Sequence, residues 1–301
     1  MKTNQNNLVQ IALQAAIAYP LRFGAFESDS CGHGHAVPSV GGITYNVRIG
    51  DKAFGWVGDH IEPGVSALLS QKERSSRESK AVQFLACVGN KAVLVSGKAK
   101  GTVGTVAGHH GGVEHLIIDF PKKVLQKLTY DDKIMIHSCG QGLMIDGAGD
   151  TKIYNTDPSL LQPWGVKQNI KGQLQVPVAL IVPAALMGSG IGNADPGSGD
   201  YDITTQDEAM VKRLGIDKLR FGDFVAIEDA DNTYGRNYFE GAMTIGIVVH
   251  SDSFLSGHGP GVTTLMSSKK GFVQPILSKK ANLADVLGIG SSSRQTSTKS
   301  K

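Results

Sequence analysis

Short apolar runs bounded by Gly, Asp or Asn recur along most of the chain. They lie at 43–50, 52–58, 84–90, 91–103, 113–120, 133–139, 176–186, 223–229, 242–250 and 261–268. Val, Ile and Thr are frequent in them, and most are of strand length, roughly four to eight residues. VGNKAVLV predicts a hairpin that turns at Gly89-Asn90. Helical patterns are few. Residues 5–18, with Leu8, Ile11, Leu13, Ala15 and Ile17, predict an amphipathic helix docked on the body. PKKVLQKL at 121–128 opens with Pro at a first-turn position. TTQDEAMVKRLG at 204–215 has a Thr cap, an acidic first turn, basic late residues and a terminal Gly. ANLADVLGI at 281–289 predicts one more short helix. Strands do not alternate with long helices, which argues against a doubly wound parallel sheet. The pattern predicts a mainly-β protein of barrel-like or sandwich modules with short helical inserts.

A polar, turn-rich stretch, DGAGDTKIYNTDPSLLQPWGVKQNIKGQ, marks a boundary. We divide the chain into an N-terminal mainly-β domain at 1–160, a C-terminal β-rich domain at 161–289 and a tail at 290–301. The tail, rich in Ser, Thr and Lys, is expected to be disordered and to contribute nothing to folding.

Composition sharpens this picture. The 38 glycines are dispersed and predict many turns, bulges and close backbone approaches rather than a helix bundle. Net charge is only +3, and Arg294, Lys299 and Lys301 of the tail supply much of it. With aromatics at 6%, neither a phosphate-binding surface nor a base-stacking platform is expected. Cys31, Cys87 and Cys139 have no metal-type spacing and suit reduced thiols in the cytoplasm. No apolar run reaches the ~18 residues of a membrane span. Gln10 and Gln14 interrupt the N-terminal apolar stretch, which also lacks the flanks of a signal peptide. The expected partners are a small-molecule substrate and further copies of the chain in a homo-oligomer, with no nucleic acid and no membrane.

Four places combine glycine with histidine or acid. In GWVGDHIEPGVS, His60 and Glu62 share a face if the segment is extended. They suit a divalent cation, or a base beside one; a turn whose acids cap backbone amides accounts for them equally. In GHHGGVEH, three of the nine histidines fall within seven residues, with Glu114 between them. His109 and His110 are placed on a glycine loop, only one of them pointing inward, and His115 at a strand start. VVHSDSFLSGHGPGV puts His250 at a strand end and His258 between glycines. MGSGIG, continuing to GDYD, lacks the GxGxxG spacing of a dinucleotide loop. An amide-rich cradle for an oxyanion suits it better. Asp200 and Asp202 are either ligands or caps of the helix expected from Thr204. His33 and His35, near Cys31, lie in a glycine stretch and are set aside, and His137 is assigned to a strand. From their glycine-flanked positions, His60, His110, His115, His250 and His258 are expected to include the ligands of one divalent site. Glu62, Glu114 and Asp202 are the candidate catalytic carboxylates. Glu62 is preferred as base because it stands two residues from His60 and directly before Pro63.

The phrases GGITYNVRIGD, GWVGDHIEPGVS, HGGVEH, GSGDYDITTQD, YGRNYF and HSDSFLSGHGPGVT together resemble the family labelled domain of unknown function 4438. The resemblance spans roughly residues 20–280. It implies a mostly-β cytosolic protein with separate N- and C-terminal parts. The family includes enzymes resembling the dihydrophloroglucinol cyclohydrolase of anaerobic phloroglucinol breakdown. These open a cyclic β-diketone with a divalent metal, manganese being the implied ion; imidazole with carboxylate ligation would also suit zinc. VPVALIVPAALMGSG is similar to a phrase of the acetamidase/formamidase family of metal-dependent amide hydrolases. A β-barrel binding module without catalysis is the third reading, and it would leave the histidines on separate surfaces.

Overall fold

The computed structural model describes residues 1–36 and 40–292. The protein is mainly β. Six strands close into a barrel in the order Ile11–Ile17, Val65–Leu68, His115–Asp119, Val103–His110, Lys91–Leu94 and Lys133–Ser138, the last pairing back onto the first. Every neighbouring pair is antiparallel. The second half carries a seven-stranded sheet. Its main path runs Leu180–Pro183, Phe224–Asp231, Asn237–Val248, Gly261–Ser268, Tyr201–Ile203 and Met187–Ile191, with Lys152–Ile153 added on Gly261–Ser268. A three-stranded sheet, Lys167–Gln168, Leu174–Val178 and Val273–Leu277, packs beside it.

Two apolar cores hold these layers. The smaller fills the barrel with Leu13, Ile17, Val65, Leu94, Ile118 and Phe120 among others. The larger belongs mostly to the second half, yet Val47, Ile49, Val88, Ala107 and Ile117 enter it from the first. Strand His115–Asp119 is buried along its whole length, so Ile117 faces one core while Leu116 and Ile118 face the other. The barrel wall is therefore also the floor of the second core.

Several expectations are corrected. The stretch 5–18 is not a helix: a short 3-10 turn, Gln5–Asn7, precedes strand Ile11–Ile17. Leu13, Ala15 and Ile17 are buried alternately, a period of two, and the strand closes the barrel by pairing on both sides. The run at 84–90 is not a strand but the end of helix Arg77–Leu85, whose Ser76 cap accepts from Ser79 N at 3.1 Å. The turn at Gly89-Asn90 therefore joins a helix exit to strand Lys91–Leu94, and that strand pairs with Val103–His110 instead. The runs at 43–50 and 52–58 are loops with isolated bridges, Ile43 to Val65 and Lys52 to Arg220. Their apolar residues Val47, Ile49 and Ala53 are buried, which explains the strand-like pattern. The expected helices shorten to Lys122–Leu125, Glu208–Leu214 and Leu283–Leu287. Asp207, not a Thr, caps the second of these.

The start of the expected tail is part of the body. Gly290 N donates to Asp119 Oδ2 at 3.0 Å, and Gly290 O accepts from Arg48 Nη1 at 2.9 Å. Ser291 N donates to Ile49 O at 2.9 Å. Residues 293–301, the rest of that expectation, lie outside the described residues. Arg48 is 1% exposed and also donates from Nη2 to Asp119 Oδ1 at 2.8 Å and to Phe120 O at 3.0 Å. Arg48→Ala leaves the Asp119 carboxylate buried without its cation. The expected cost is about 3–5 kcal/mol of unfolding free energy, read from urea denaturation. Replacing both partners, as Arg48→Met with Asp119→Leu, should recover most of that loss.

Candidate metal centre

Backbone pairing brings the barrel and the second sheet together at one point. Thr263 Oγ1 accepts from His109 N at 3.0 Å and donates to His109 O at 2.9 Å. A Cβ on Gly108 would lie 2.1 Å from Val249 Cγ1, so only glycine permits this approach. His109 and His110 therefore end the strand Val103–His110 rather than sitting on a loop. Strand alternation sends them to opposite sides. The His109 ring turns to Ala86 O at 2.6 Å, while His110 faces the cluster. His110 and His115 are cross-strand partners, and both present Nδ1 to Glu62. His115 Nδ1 lies 3.0 and 2.9 Å from the two Glu62 oxygens. His110 Nδ1 and the Ser66 hydroxyl complete the set, each in short contact with Glu62.

His60 holds a left-handed backbone, φ 47°, in the loop before Pro63. Its Nδ1 is hydrogen-bonded to Asp59, and its Nε2 points to Asp202 Oδ2 at 3.4 Å. From the second sheet, Asp200 and Asp202 flank Tyr201, and residues two apart on a strand share a face. Asp202 Oδ2 is 3.0 Å from His258 Nδ1, and Asp202 Oδ1 is 3.3 Å from His250 Nε2. Asp200 Oδ1 accepts from Gly111 N at 2.8 Å. His250 Nδ1 donates to Ser251 O at 2.9 Å, since a carbonyl can only accept.

Electrostatics in this seam are severe. Asp59, Glu62, Asp200 and Asp202 are all buried. Burial alone would raise each carboxyl, but facing imidazoles outweigh it. Asp59 and Asp200 fall below the usual carboxylate range, and Glu62 and Asp202 fall well below it. For His60, burial opposes the charge, yet hydrogen bonds to Asp202 and Asp59 raise it to about 9. His250 is likewise held well above its ordinary value by Asp202 and Asp200 against the cost of burial. His110 is pushed down by burial and by His250 beside it. The locus between these side chains demands positive charge.

Two observations bear on whether a divalent cation fits there. Asp200 Oδ2 is buried without a hydrogen-bond partner of good geometry, although His250 Nε2 lies 2.9 Å away as its charge partner. A Cβ on Gly261 would lie 2.0 Å from that oxygen and 2.1 Å from His250 Nε2, and one on Gly190 2.5 Å from Asp202 Oδ2. The donor chemistry agrees. In His60, His110 and His250, Nδ1 is engaged by a carboxylate or a carbonyl, which leaves Nε2 as the free donor. That outer hydrogen bond is how metal-ligating imidazoles are oriented. The residues present fit manganese or zinc, which take imidazole nitrogen and carboxylate oxygen.

Of the expected residues, His60, His110, His250, His258 and Asp202 are thus brought together. His115 and Glu62 stand one layer behind, with His115 Nε2 directed to Arg74 Nη1 at 3.4 Å. Both oxygens of Glu62 are occupied, so its place is that of a positioning carboxylate and not that of a free base. Glu114 lies in the turn before His115 with φ 58°. Its carboxyl is raised, mainly by burial, with Lys80 and Arg74 as charged neighbours. Asp200 is a full member of the cluster, and neither it nor Asp202 caps the helix at Glu208. The i, i+2 spacing of the two aspartates was the available signal. Asp59, Ser66 and Ser251 carried none beyond adjacency. Two amides of the expected MGSGIG cradle are spent on backbone: Gly190 N on Gly257 O at 3.2 Å and Gly192 N on Asp200 O at 3.1 Å.

Fold and site together define a two-part β protein with a histidine–aspartate cluster in the seam between its parts. The chain belongs to the DUF4438 family. Residues 26–162 match the family described as domain of unknown function (DUF4438), N-terminal, and residues 163–287 match its C-terminal counterpart. A solved structure titled "Crystal structure of TM1086" is similar at 42% identity and a TM-score of 0.88, covering 95% of this chain and 98% of that one. No curated protein matches the chain.

Glu62→Gln keeps the shape but removes the charge that orients His110 and His115. Manganese binding, followed by calorimetry, should weaken by about 10- to 100-fold, the usual effect of an outer-layer change. Unchanged affinity would remove Glu62 from the positioning role.

Proposed function

We propose that this protein is a divalent-cation-dependent hydrolase of a small carbonyl compound, and that it opens a cyclic β-diketone at a carbon–carbon bond. The substrate follows the resemblance to dihydrophloroglucinol cyclohydrolase. The observation that carries the hydrolase reading is the convergence of the cluster on a cavity. His60, His110 and His258 line a cavity of about 260 Å³, with Asp200, Asp202 and His250 behind them. A non-catalytic binding module gives no reason for this convergence. The cavity is small beside common ligand pockets of ~300–1,000 Å³, which favours a compact ring.

A bound divalent cation would polarise a carbonyl and make water a better nucleophile near neutral pH. In the reaction, the hydroxyl of water joins one carbonyl carbon while its proton passes to the His35 imidazole, and that carbon's bond to the central carbon breaks. The bonding pair remains on the central carbon as an enolate, which then takes up a proton. Leu21, Phe23, Phe26, Val40, Val113 and Leu255 give the cavity an apolar side against which a compact ring can lie. His35 also lines the cavity, and its Nε2 is tied to Asp29 Oδ2 at 2.9 Å. We assign delivery of that proton to this imidazole, through Nδ1, since Nε2 is held by Asp29. Glu62 enters as a positioning residue and Asp202 as a ligand.

The compartment we propose is the cytoplasm, which suits the unpaired Cys31, Cys87 and Cys139. Among the described residues, no helix is long and apolar enough to cross a membrane.

The test is a panel of cyclic β-diketones and small amides, offered to protein loaded with manganese. Ring opening should appear as a product one water heavier than the substrate, and chelation should abolish it. His35→Gln should lower turnover about 100- to 10,000-fold with metal content retained. Amide cleavage without ring opening would transfer the function to the amidase reading. Ligand binding without turnover of either class would favour a binding module.

A further inference from the structure

We infer that the cluster is built for two divalent cations bridged by Asp202. This rests on the reading of the cluster as a metal centre and goes beyond it in stoichiometry. An imidazole nitrogen has one lone pair, so it serves one cation, whereas a carboxylate has two oxygens and can serve two.

The donor atoms form two groups, and His250 lies within reach of both. In the first, Asp200 Oδ2 and His250 Nε2 are 2.9 Å apart. His110 completes this group, with its donor within 4.8 Å of both. In the second, His60 Nε2, Asp202 Oδ2 and His258 Nδ1 form a triangle with sides of 3.4, 3.0 and 3.1 Å. His250 also lies within reach of His60 and Asp202. Its Nδ1 is committed to Ser251 O, however, and its single remaining lone pair stands closer to Asp200, at 2.9 Å, than to Asp202, at 3.3 Å. Asp202 touches both groups with different oxygens, Oδ1 toward His250 and Oδ2 toward His60 and His258. That is the arrangement of a bridging carboxylate in a two-metal centre.

Asp200 and Asp202 lie in the cluster, while Asp59 and Glu62 stand behind His60 and His110. Arg74, toward Glu62, and Arg236, toward Asp200 and Asp202, meet part of this negative charge from outside the cluster. A second cation also gives His258 a task that a single deep ion does not. Its side chain is 31% exposed at the cavity, and its Nδ1 points inward to Asp202.

The experiment strips the full-length protein with chelator and reloads it with manganese(II) alone. Metal per chain is read by mass spectrometry of the element, and coupling between ions by electron paramagnetic resonance. The expected result is two manganese per chain with the multi-line signal of an exchange-coupled pair. His258→Ala, at a partly exposed position that spares the core, should retain one manganese per chain and lose the coupled signal. Circular dichroism of that variant should match the parent, and His258→Gln serves as a second variant if it does not. One manganese per chain in the parent, with the signal of an isolated ion, would overturn the two-cation inference and leave the metal centre standing. No manganese bound by the parent would overturn both.

Discussion

Asp59, Glu62, Asp200 and Asp202 lie buried in the seam between the barrel and the seven-stranded sheet, and an imidazole faces each of them. Taking a carboxylate out of water costs several kcal/mol unless charge and hydrogen bonds are returned to it. The two halves of the chain supply complementary parts of that return. His60, Glu62, His110 and His115 come from the first half, and Asp200, Asp202, His250 and His258 from the second. Asp202 is satisfied by His60 across the seam, and His250 shares its neighbourhood with His110. Separating the halves would take His60 from Asp202 and the Gly111 amide from Asp200. Association of the two parts and assembly of the site are one structural event.

Glycine makes the close approach possible. Gly111 and Gly192 meet backbone to backbone, so that a Cβ on either would lie about 2.5 Å from the other. Gly112 N then donates to Gly192 O at 3.1 Å. Gly261 pairs with Asp202 in the sheet and keeps clear the space beside Asp200 and His250. Away from the site, Arg48 does for the outer edge of the seam what the imidazoles do inside. It ties the barrel residue Asp119 to the chain near Gly290, after the last helix. The pair is worth little by itself, but a lone charge left there would be costly.

Much of the fold was legible. Runs rich in Val, Ile and Thr became the strands His115–Asp119, Lys133–Ser138, Phe224–Asp231 and Gly261–Ser268, because a buried strand needs only local composition and length to announce itself. The helix at Glu208–Leu214 was announced by its acidic start and by Gly215, which ends it at φ 75°. The N-terminal segment was not. Leu13, Ala15 and Ile17 alternate as a strand requires, yet a strand is stable only with partners, and these come from residues 65–68 and 133–138. Helix Arg77–Leu85 buries only Ser79, Val82 and Gln83, too narrow a stripe for a pattern to reveal.

By itself, the sequence determined the β class and the glycine-flanked histidines and acids worth watching, because strand propensity and glycine's freedom are local properties. The tertiary structure alone decided which of them meet and what each one does. Glu62 reads first as a base until His110, His115 and Ser66 are seen to occupy both its oxygens. That His110 faces the cluster and His109 turns away is decided where Thr263 holds the end of their strand. The role of an imidazole or a carboxylate depends on which of its atoms remain free. That is settled by groups far away in the chain, as with Asp202 and His60, and local composition cannot encode it.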